Sequence, residues 1–362
     1  VNFRKATAQY EEWISGELEI VPEDLERKHE FMREGIFPFL RATFYRWAQL
    51  WPEVCPECDD APRLLATGDL HVENFGTWRD AEGRLVWGIN DFDEVCRMPY
   101  TVDLVRLAAS AHLAIDTRQL TIAHREACEV IVAGYKECLE KGGLPWVIAG
   151  RHAWLRDMVG PFLRDPILFW KKLEVLPEFR GRIPGNARRG LDKMMPGKTS
   201  AFRIAHRVAG LGSLGRQRLI AIAEYNGGLV CREAKALAPS AWSWARSEPL
   251  EPILYQKALD GAVRAIDPFV RVQGSWVVRR LAPDCTRIDL AAFPAEKDES
   301  RLLRAMGWET ANVHLASRHV PDVRADLARR PKDWLHKAAA NMVKATRADW
   351  EEWRSAPSKA SR

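Results

Sequence analysis

Three residues have types and spacing suited to Mg²⁺-nucleotide chemistry: Asp69 and Asn74, in Gly68-Asp69-Leu70-His71-Val72-Glu73-Asn74, and Asp91, in Asn90-Asp91-Phe92-Asp93-Glu94. In ATP-dependent phosphoryl transfer one Asp accepts the proton of the attacking hydroxyl. An Asn five residues on holds Mg²⁺, and a later Asp before Phe bridges metal and phosphates. The transferring group spreads negative charge over its oxygens, so hard oxygen ligands on Mg²⁺ are what the chemistry needs. Taken singly, Asp69 and Asn74 read equally well as turn or cap residues. Their joint order with Asp91 favours a metal site. His71 reads equally as a loop-orienting ring or as an auxiliary catalytic group, Asp93 as an auxiliary at the metal, and Glu94 as a solvated acid.

GDLHVEN resembles the GDxHxxN loop of aminoglycoside and choline phosphotransferases, and INDFDE resembles their metal-binding segment. Pro99 to Leu104 resembles their downstream helix start, where an Asp, here Asp103, braces the catalytic loop. More closely, GDLHVENFG, NDFDE, VDLVRLAAS, AGLGSLG and REAKAL resemble an uncharacterised bacterial family, domain of unknown function 2252, over the chain from Phe31 to Ala316. The resemblance implies a protein-kinase-like two-lobed α+β fold. It implies Asp69 as the base and Asn74 and Asp91 as metal ligands, and it supplies no substrate.

A second signal is Gly210-Leu211-Gly212-Ser213-Leu214-Gly215. GxGxxG fits a dinucleotide-binding turn or a phosphate loop, and the residues C-terminal to it decide between them. A Rossmann turn opens a helix. Arg218 to Glu224 is instead short, apolar and partly β-branched, and runs into Tyr225-Asn226-Gly227-Gly228. Asn-Gly between two apolar runs predicts a hairpin. The returning strand, Leu229 to Lys235, carries a lysine. Strand, glycine loop, strand, hairpin, strand with Lys is the order of a kinase small lobe. Gly210, Gly212, Ser213 and Gly215 are therefore expected around the phosphates of ATP or another nucleoside triphosphate, with Lys235 on the α- and β-phosphates. An acid from a helix over Pro249 to Ile266, Glu251 or Glu248, is expected to pair Lys235. Phe269–Val272 and Trp276–Leu281 read as another hairpin, ended at Ala282-Pro283 by a segment suited to adenine. Because Asp69, Asn74 and Asp91 precede the glycine loop, the fold expected is circularly permuted.

These groups need elements to position them. Helices are expected over Tyr10–Leu18, Asp24–Trp51 with an interruption near Pro38, Val102–Ala114, Gln119–Glu140, Asp298–Ser317 and Pro331–Trp353. Residues 142–200 read as short helices and loops. The division expected is a large helical lobe over 1–197, a small β-rich nucleotide lobe over 198–283, and returning helices over 284–362.

The chain has 362 residues, enough for two coupled lobes, with 47% hydrophobic and 28% charged residues as in globular proteins. No run approaches the roughly 18 apolar residues that span a bilayer, so a cytoplasmic location is the default. The seven cysteines are scattered and odd in number, which argues against a disulfide framework. Cys55-Pro56-Glu57-Cys58 is a lone CxxC, read as reduced loop thiols. A net charge of +5 disfavours nucleic acid as a partner. Between Arg180 and Arg218, however, ten basic residues meet one acid, Asp192, a patch that would attract an anionic substrate or simply be solvated.

The function expected is ATP- and Mg²⁺-dependent phosphoryl transfer to the hydroxyl of a small molecule. The alternatives are nucleotidyl transfer on the same fold, a nucleotide-sensing pseudoenzyme and, last, a binuclear metallophosphoesterase. The sequence does not determine the acceptor or the oligomeric state.

Overall fold

The computed structural model describes residues 2–160, 163–197, 202–287, 298–317 and 319–355, a mixed α+β chain whose strands form three small antiparallel sheets. It opens with helix α1 (Phe3–Glu17), capped by the Asn2 side chain on the amide of Lys5. The stretch Asp24–Trp51 is three helices, α2 (Pro22–Glu34), α3 (Ile36–Ala42) and α4 (Phe44–Val54). The breaks fall at Gly35, which is extended, and at Thr43, and not at Pro38. Pro38 lies in the first turn of α3, where a missing N–H leaves no hydrogen bond unmade.

A short α5 (Pro56–Asp59) leads into β1 (Arg63–Ala66), β2 (Phe75–Arg79), β3 (Leu85–Ile89) and β4 (Cys96–Pro99). β1 pairs with β4 and β2 with β3, and β5 (Trp146–Val147) adds to the β2–β3 hairpin. The loops after β1 and after β3 carry the two motifs. Beneath them runs α6 (Thr101–Asp116), whose residues from Thr101 to Ala114 are all buried. A helix enclosed on every side forms the centre of its core.

Helix α7 (His124–Lys141) begins at His124 and not at Gln119. It packs closely on α13 (Glu299–His314) through two glycines. A Cβ on Gly134 would stand 1.9 Å from the Arg304 carbonyl oxygen, and one on Gly307 would stand 2.1 Å from that of Ile131. After α14 (Val320–Arg329), α15 (Trp334–Ser355) returns across α6 and α4.

The third sheet has the order β6-β7-β8-β10-β9, built from β6 (Arg203–His206), β7 (Arg218–Tyr225), β8 (Gly228–Ala236), β9 (Val270–Val272) and β10 (Trp276–Leu281). The Asn226-Gly227 turn joins β7 and β8 with both residues at positive φ, as a tight hairpin requires. Alternation along β7 gives each face its own cover. Leu219 and Ala221 meet Ala187 and Leu191 of α10 (Gly185–Met194), while Ile220 and Ile222 meet Phe169 and Leu173 of α9 (Pro166–Glu174). Both helices come from residues 142–200, the stretch read as short helices and loops. α8 (Ala153–Val159) precedes them, and its Leu155 and Val159 belong to the main core. α11 (Ala241–Ala245) and α12 (Tyr255–Gly261) follow β8. The helix expected from Pro249 to Ile266 is only α12, because Pro249 and Pro252 hold the preceding chain extended.

Among the described residues no helix is long and apolar enough to cross a membrane. All seven cysteines are free thiols. Cys55 and Cys58 sit in the main core, so the CxxC spacing marks a helical turn there. Lys198 of the basic stretch, with 199 and 200, lies outside the described residues.

Candidate active site

The loop between β1 and β2 is held from below. Asp103 of α6 is fully buried. Its Oδ2 accepts from the amide of Thr67 and its Oδ1 from that of Gly68, each at 2.7 Å. His314 Nε2 lies 2.9 Å from the same Oδ2, and His314 Nδ1 meets the Tyr135 hydroxyl at 2.7 Å. Gly68 is at φ +85°, and a Cβ there would stand 2.6 Å from the Glu94 carbonyl oxygen, so this turn requires glycine.

Asp69 follows with its two oxygens differently placed. Oδ1 accepts from Arg106 Nε at 2.8 Å and from Nη2 at 2.5 Å. Arg106 is wholly buried, lies over the rings of Phe44 and Trp47, and also donates to the Leu40 carbonyl. Oδ2 faces the glycine segment, since a Cβ on Gly212 would stand 3.2 Å from it and 3.0 Å from the Arg41 carbonyl oxygen. Burial pushes the Asp69 carboxyl up to about 6 against the opposing pull of Arg106. A carboxylate in that range suits proton acceptance near neutrality.

The rest of the loop is tied to itself. Asn74 Oδ1 accepts from the amide of His71, and the Asn74 carbonyl accepts from the amide of Asn90, next to Asp91. His71 is buried, with Nδ1 accepting from the amide of Glu73. Burial, reinforced by Arg41, Arg106 and Arg287, keeps its ring neutral, so His71 orients the loop. Glu73 pairs with Arg41 at 2.6 Å.

Lys235, from the distant β8, meets this constellation. Its ammonium stands 3.2 Å from Asp91 Oδ1 and 2.6 Å from Asp93 Oδ1 and is almost wholly enclosed. Lys235, Arg279 and hydrogen bonding outweigh burial at Asp91 and hold its carboxyl well below the usual range, while burial and repulsion by Asp91 raise that of Asp93. The expected pairing of Lys235 with Glu251 is not made. Glu251 binds Arg97 at 2.9 Å and Glu248 binds Arg63 at 2.8 Å, both where the chain is extended before α12. Glu94 is not a solvated acid. It is buried, pairs with Arg216 at 2.9 Å and accepts from the amide of Ala241.

Asp69, His71, Asn74 and Asp91 line one cleft of about 370 Å³ together with Gly210, Leu211 and Gly212. Leu211–Ser213 forms a single 3₁₀ turn that leads into strand β7, as a phosphate loop would and a Rossmann turn would not. Ser213 lines a smaller hollow beside the same Asp69, Asn74 and Asp91, and Gly215 lies away from both. The Ser213 hydroxyl accepts from Arg218, and the Gly215 carbonyl accepts from the amide of Val21 where Gly215 rests on Leu25.

The feature missed in the sequence is the wall of the cleft, eight arginines against four acids. Glu233, fully buried two residues before Lys235, gathers Arg207, Arg218 at 3.1 Å and Arg279 at 2.7 Å. Burial alone would raise the Glu233 carboxyl, but these three hold it well below its ordinary value. Period-two alternation places Glu233 and Lys235 on one face, which was the available signal. Other arginines lack such partners. Among the described residues Arg280 Nε and Nη2 and Arg264 Nη1 are buried donors without an acceptor, and burial together with Arg207 and Arg279 lowers Arg164. Unmatched buried cations of this kind suit an anionic ligand. Oxygen donors at Asp69, Asn74 and Asp91 beside such a wall fit a hard divalent ion carrying phosphates.

No curated protein and no solved structure matches the chain. Residues 20–147, which hold Asp69, Asn74, Asp91 and Asp103, are similar to a family described as an uncharacterized protein conserved in bacteria (DUF2252).

Proposed function

We propose that the chain is an ATP- and Mg²⁺-dependent phosphotransferase acting on the hydroxyl of a small molecule, with a circularly permuted protein-kinase-like arrangement. The observation that carries this reading is the meeting of Asp69, Asn74 and Asp91 with Gly210–Gly212 around one cationic cleft. In this reading residues 1–197 and 284–362 form the large lobe and 198–283 the nucleotide lobe. The order β6, glycine turn, β7, hairpin, β8 with Lys235 supports it.

Asp69 Oδ2, free of Arg106, takes the proton of the attacking hydroxyl, while Arg106 fixes the carboxylate through Oδ1. Asn74 and Asp91 hold Mg²⁺, whose charge offsets that gathering on the phosphoryl oxygens. Lys235 is enclosed between Asp91 and Asp93 and does not line the cleft, so in place of the direct phosphate contact expected from the sequence it fixes the Asp91 carboxylate. Gly210 and Gly212 admit phosphate oxygens close to the backbone. Arg264 and Arg280 supply donors to the remaining phosphate charge.

The test is thermal shift and isothermal titration with Mg²⁺ and nucleoside triphosphates, using Asp91→Ala and Asp69→Asn. Asp91→Ala is expected to abolish Mg²⁺-dependent nucleotide binding, and Asp69→Asn to keep binding and lose turnover. Release of nucleoside diphosphate marks phosphoryl transfer, and pyrophosphate would mark nucleotidyl transfer instead. Absence of a shift with any nucleotide overturns the proposal.

A further inference from the structure

The large helical core holds a second cluster of metal-ligating side chains, remote in sequence from the cleft residues. His112 near the end of α6, Cys128 in α7 and His336 in the first turn of α15 converge so that one ligand atom from each lies within 4.8 Å of the others. His112 Nε2 and Cys128 Sγ are 3.3 Å apart. A tetrahedral zinc ion with ordinary Zn–N and Zn–S bonds separates such a pair by about 3.6 Å, so very small movements would seat it. His112 and Cys128 are buried, and Nδ1 of His336 is a buried nitrogen without a hydrogen-bond partner among the described residues. That orphaned nitrogen is the independent sign of a missing ligand, because a buried polar atom is ordinarily satisfied.

The surroundings supply the rest of a coordination sphere. The rings of His112 and His124 stand 4.7 Å apart and perpendicular, and His124 Nε2 meets Asp116 Oδ1 at 3.0 Å. A solvent-open hollow of about 400 Å³, lined by His112, Asp116, His124 and His336, gives an ion a way in and leaves room for a water or for His124 as fourth ligand.

We propose that His112, Cys128 and His336 bind one Zn²⁺ ion that cross-links α6, α7 and α15. Two imidazoles and a thiolate are a borderline-soft donor set, which selects zinc over the Mg²⁺ assigned to the oxygen-lined cleft. Binding displaces the Cys128 thiol proton to solvent. The cross-link bears on the cleft at a distance, since α6 also carries Asp103 and Arg106.

The test uses the full chain without a histidine tag, stripped by chelator and titrated with Zn²⁺ and, for spectroscopy, with Co²⁺. About one equivalent of Zn²⁺ is expected to bind, and Co²⁺ is expected to give a near-ultraviolet thiolate charge-transfer band with tetrahedral visible bands. Cys128→Ser should remove the charge-transfer band. His336→Gln, at a half-buried position that tolerates change, should weaken Zn²⁺ binding by at least about tenfold. Asp91→Ala should alter neither. Zn²⁺ should raise the melting temperature of the wild type and not of His336→Gln. Failure to bind Zn²⁺, a charge-transfer band that persists in Cys128→Ser, or equal affinity in His336→Gln would each overturn the proposal, whatever the outcome with nucleotides.

Discussion

Replacing Asp103 by Asn perturbs the brace under the Asp69 loop while keeping shape. The carboxylate accepts from Thr67 N and Gly68 N at 2.7 Å each and from His314 Nε2 at 2.9 Å, with no exposure to water. An amide keeps one acceptor oxygen and turns the other atom into a donor. Whichever way it flips, at least one backbone N–H meets an N–H. An unpaired buried donor costs about 1–3 kcal/mol, and a surviving bond falls from the charge-assisted to the neutral class, a further ~1 kcal/mol. The sum, about 3 kcal/mol, is roughly a hundredfold in the folding equilibrium. Urea denaturation of both proteins measures it, with an unchanged denaturant slope confirming that stability alone has moved. Amide exchange at Thr67 and Gly68 should accelerate in the variant. His314→Gln, which leaves both backbone contacts of Asp103 in place and disturbs only the His314 bonds to Asp103 and Tyr135, is the comparison and should cost about 2 kcal/mol. A loss below about 1 kcal/mol in Asp103→Asn, or one equal to that of His314→Gln, would refute the brace.

The packing leads to three further outcomes. Burial raises Glu309 from 4.5 to about 7, against the pull of Arg264. The folded state therefore binds the proton more tightly, and stability should fall as pH rises from 4.5 to 7, by about 3 kcal/mol in all; Glu309→Gln should flatten that segment of the stability–pH curve, and an unchanged slope would count against it. Gly307→Ala places a methyl group 2.1 Å from the Ile131 carbonyl oxygen, so α7 and α13 must separate; a loss of about 2–3 kcal/mol is expected by calorimetry, and a neutral effect would mean that the helices are not so close. Gly212→Ala leaves the core untouched but presses on Asp69 and Arg41, so turnover in the phosphotransfer assay should drop at least about tenfold while the melting temperature stays within ~2 °C; full activity would disconnect Gly212 from the site.

How far the sequence could be read depended on whether a signal was local. The Asn226-Gly227 turn and the alternating strands beside it were plain because the hairpin is specified within a few residues. The loop from Gly68 to Asn74 and the acid at Asp91 stood out because chemistry demands those types at that spacing. Glu251 was misassigned because helical periodicity over Ile253, Ala258 and Ala262 concealed two prolines that hold the chain straight. Arg106 was legible in principle, one helical turn after Asp103 and so on the same face, but nothing local says that a buried guanidinium will reach Asp69. The arginine wall draws on α3, β7, β10 and the loops after α8, β6, α12 and β10, and only folding assembles it.

The strand leaving the five-stranded sheet does not wander. Past Leu281 the chain reaches the free edge of β2, where Thr77 N donates to the Thr286 carbonyl at 2.7 Å, Thr77 Oγ1 donates to that of Asp284, and Gly76 bridges Arg287. A Cβ on Gly76 would stand 2.1 Å from the Thr286 oxygen, so this seam is sewn tightly. The two halves of the crevice thus share a selvedge on one side, while on the other the glycine segment is tied down by Val21 N on the Gly215 carbonyl, Lys28 Nζ on the Gly212 carbonyl and the Arg216–Glu94 pair. Pinned along both borders, the halves hold one register across the cleft.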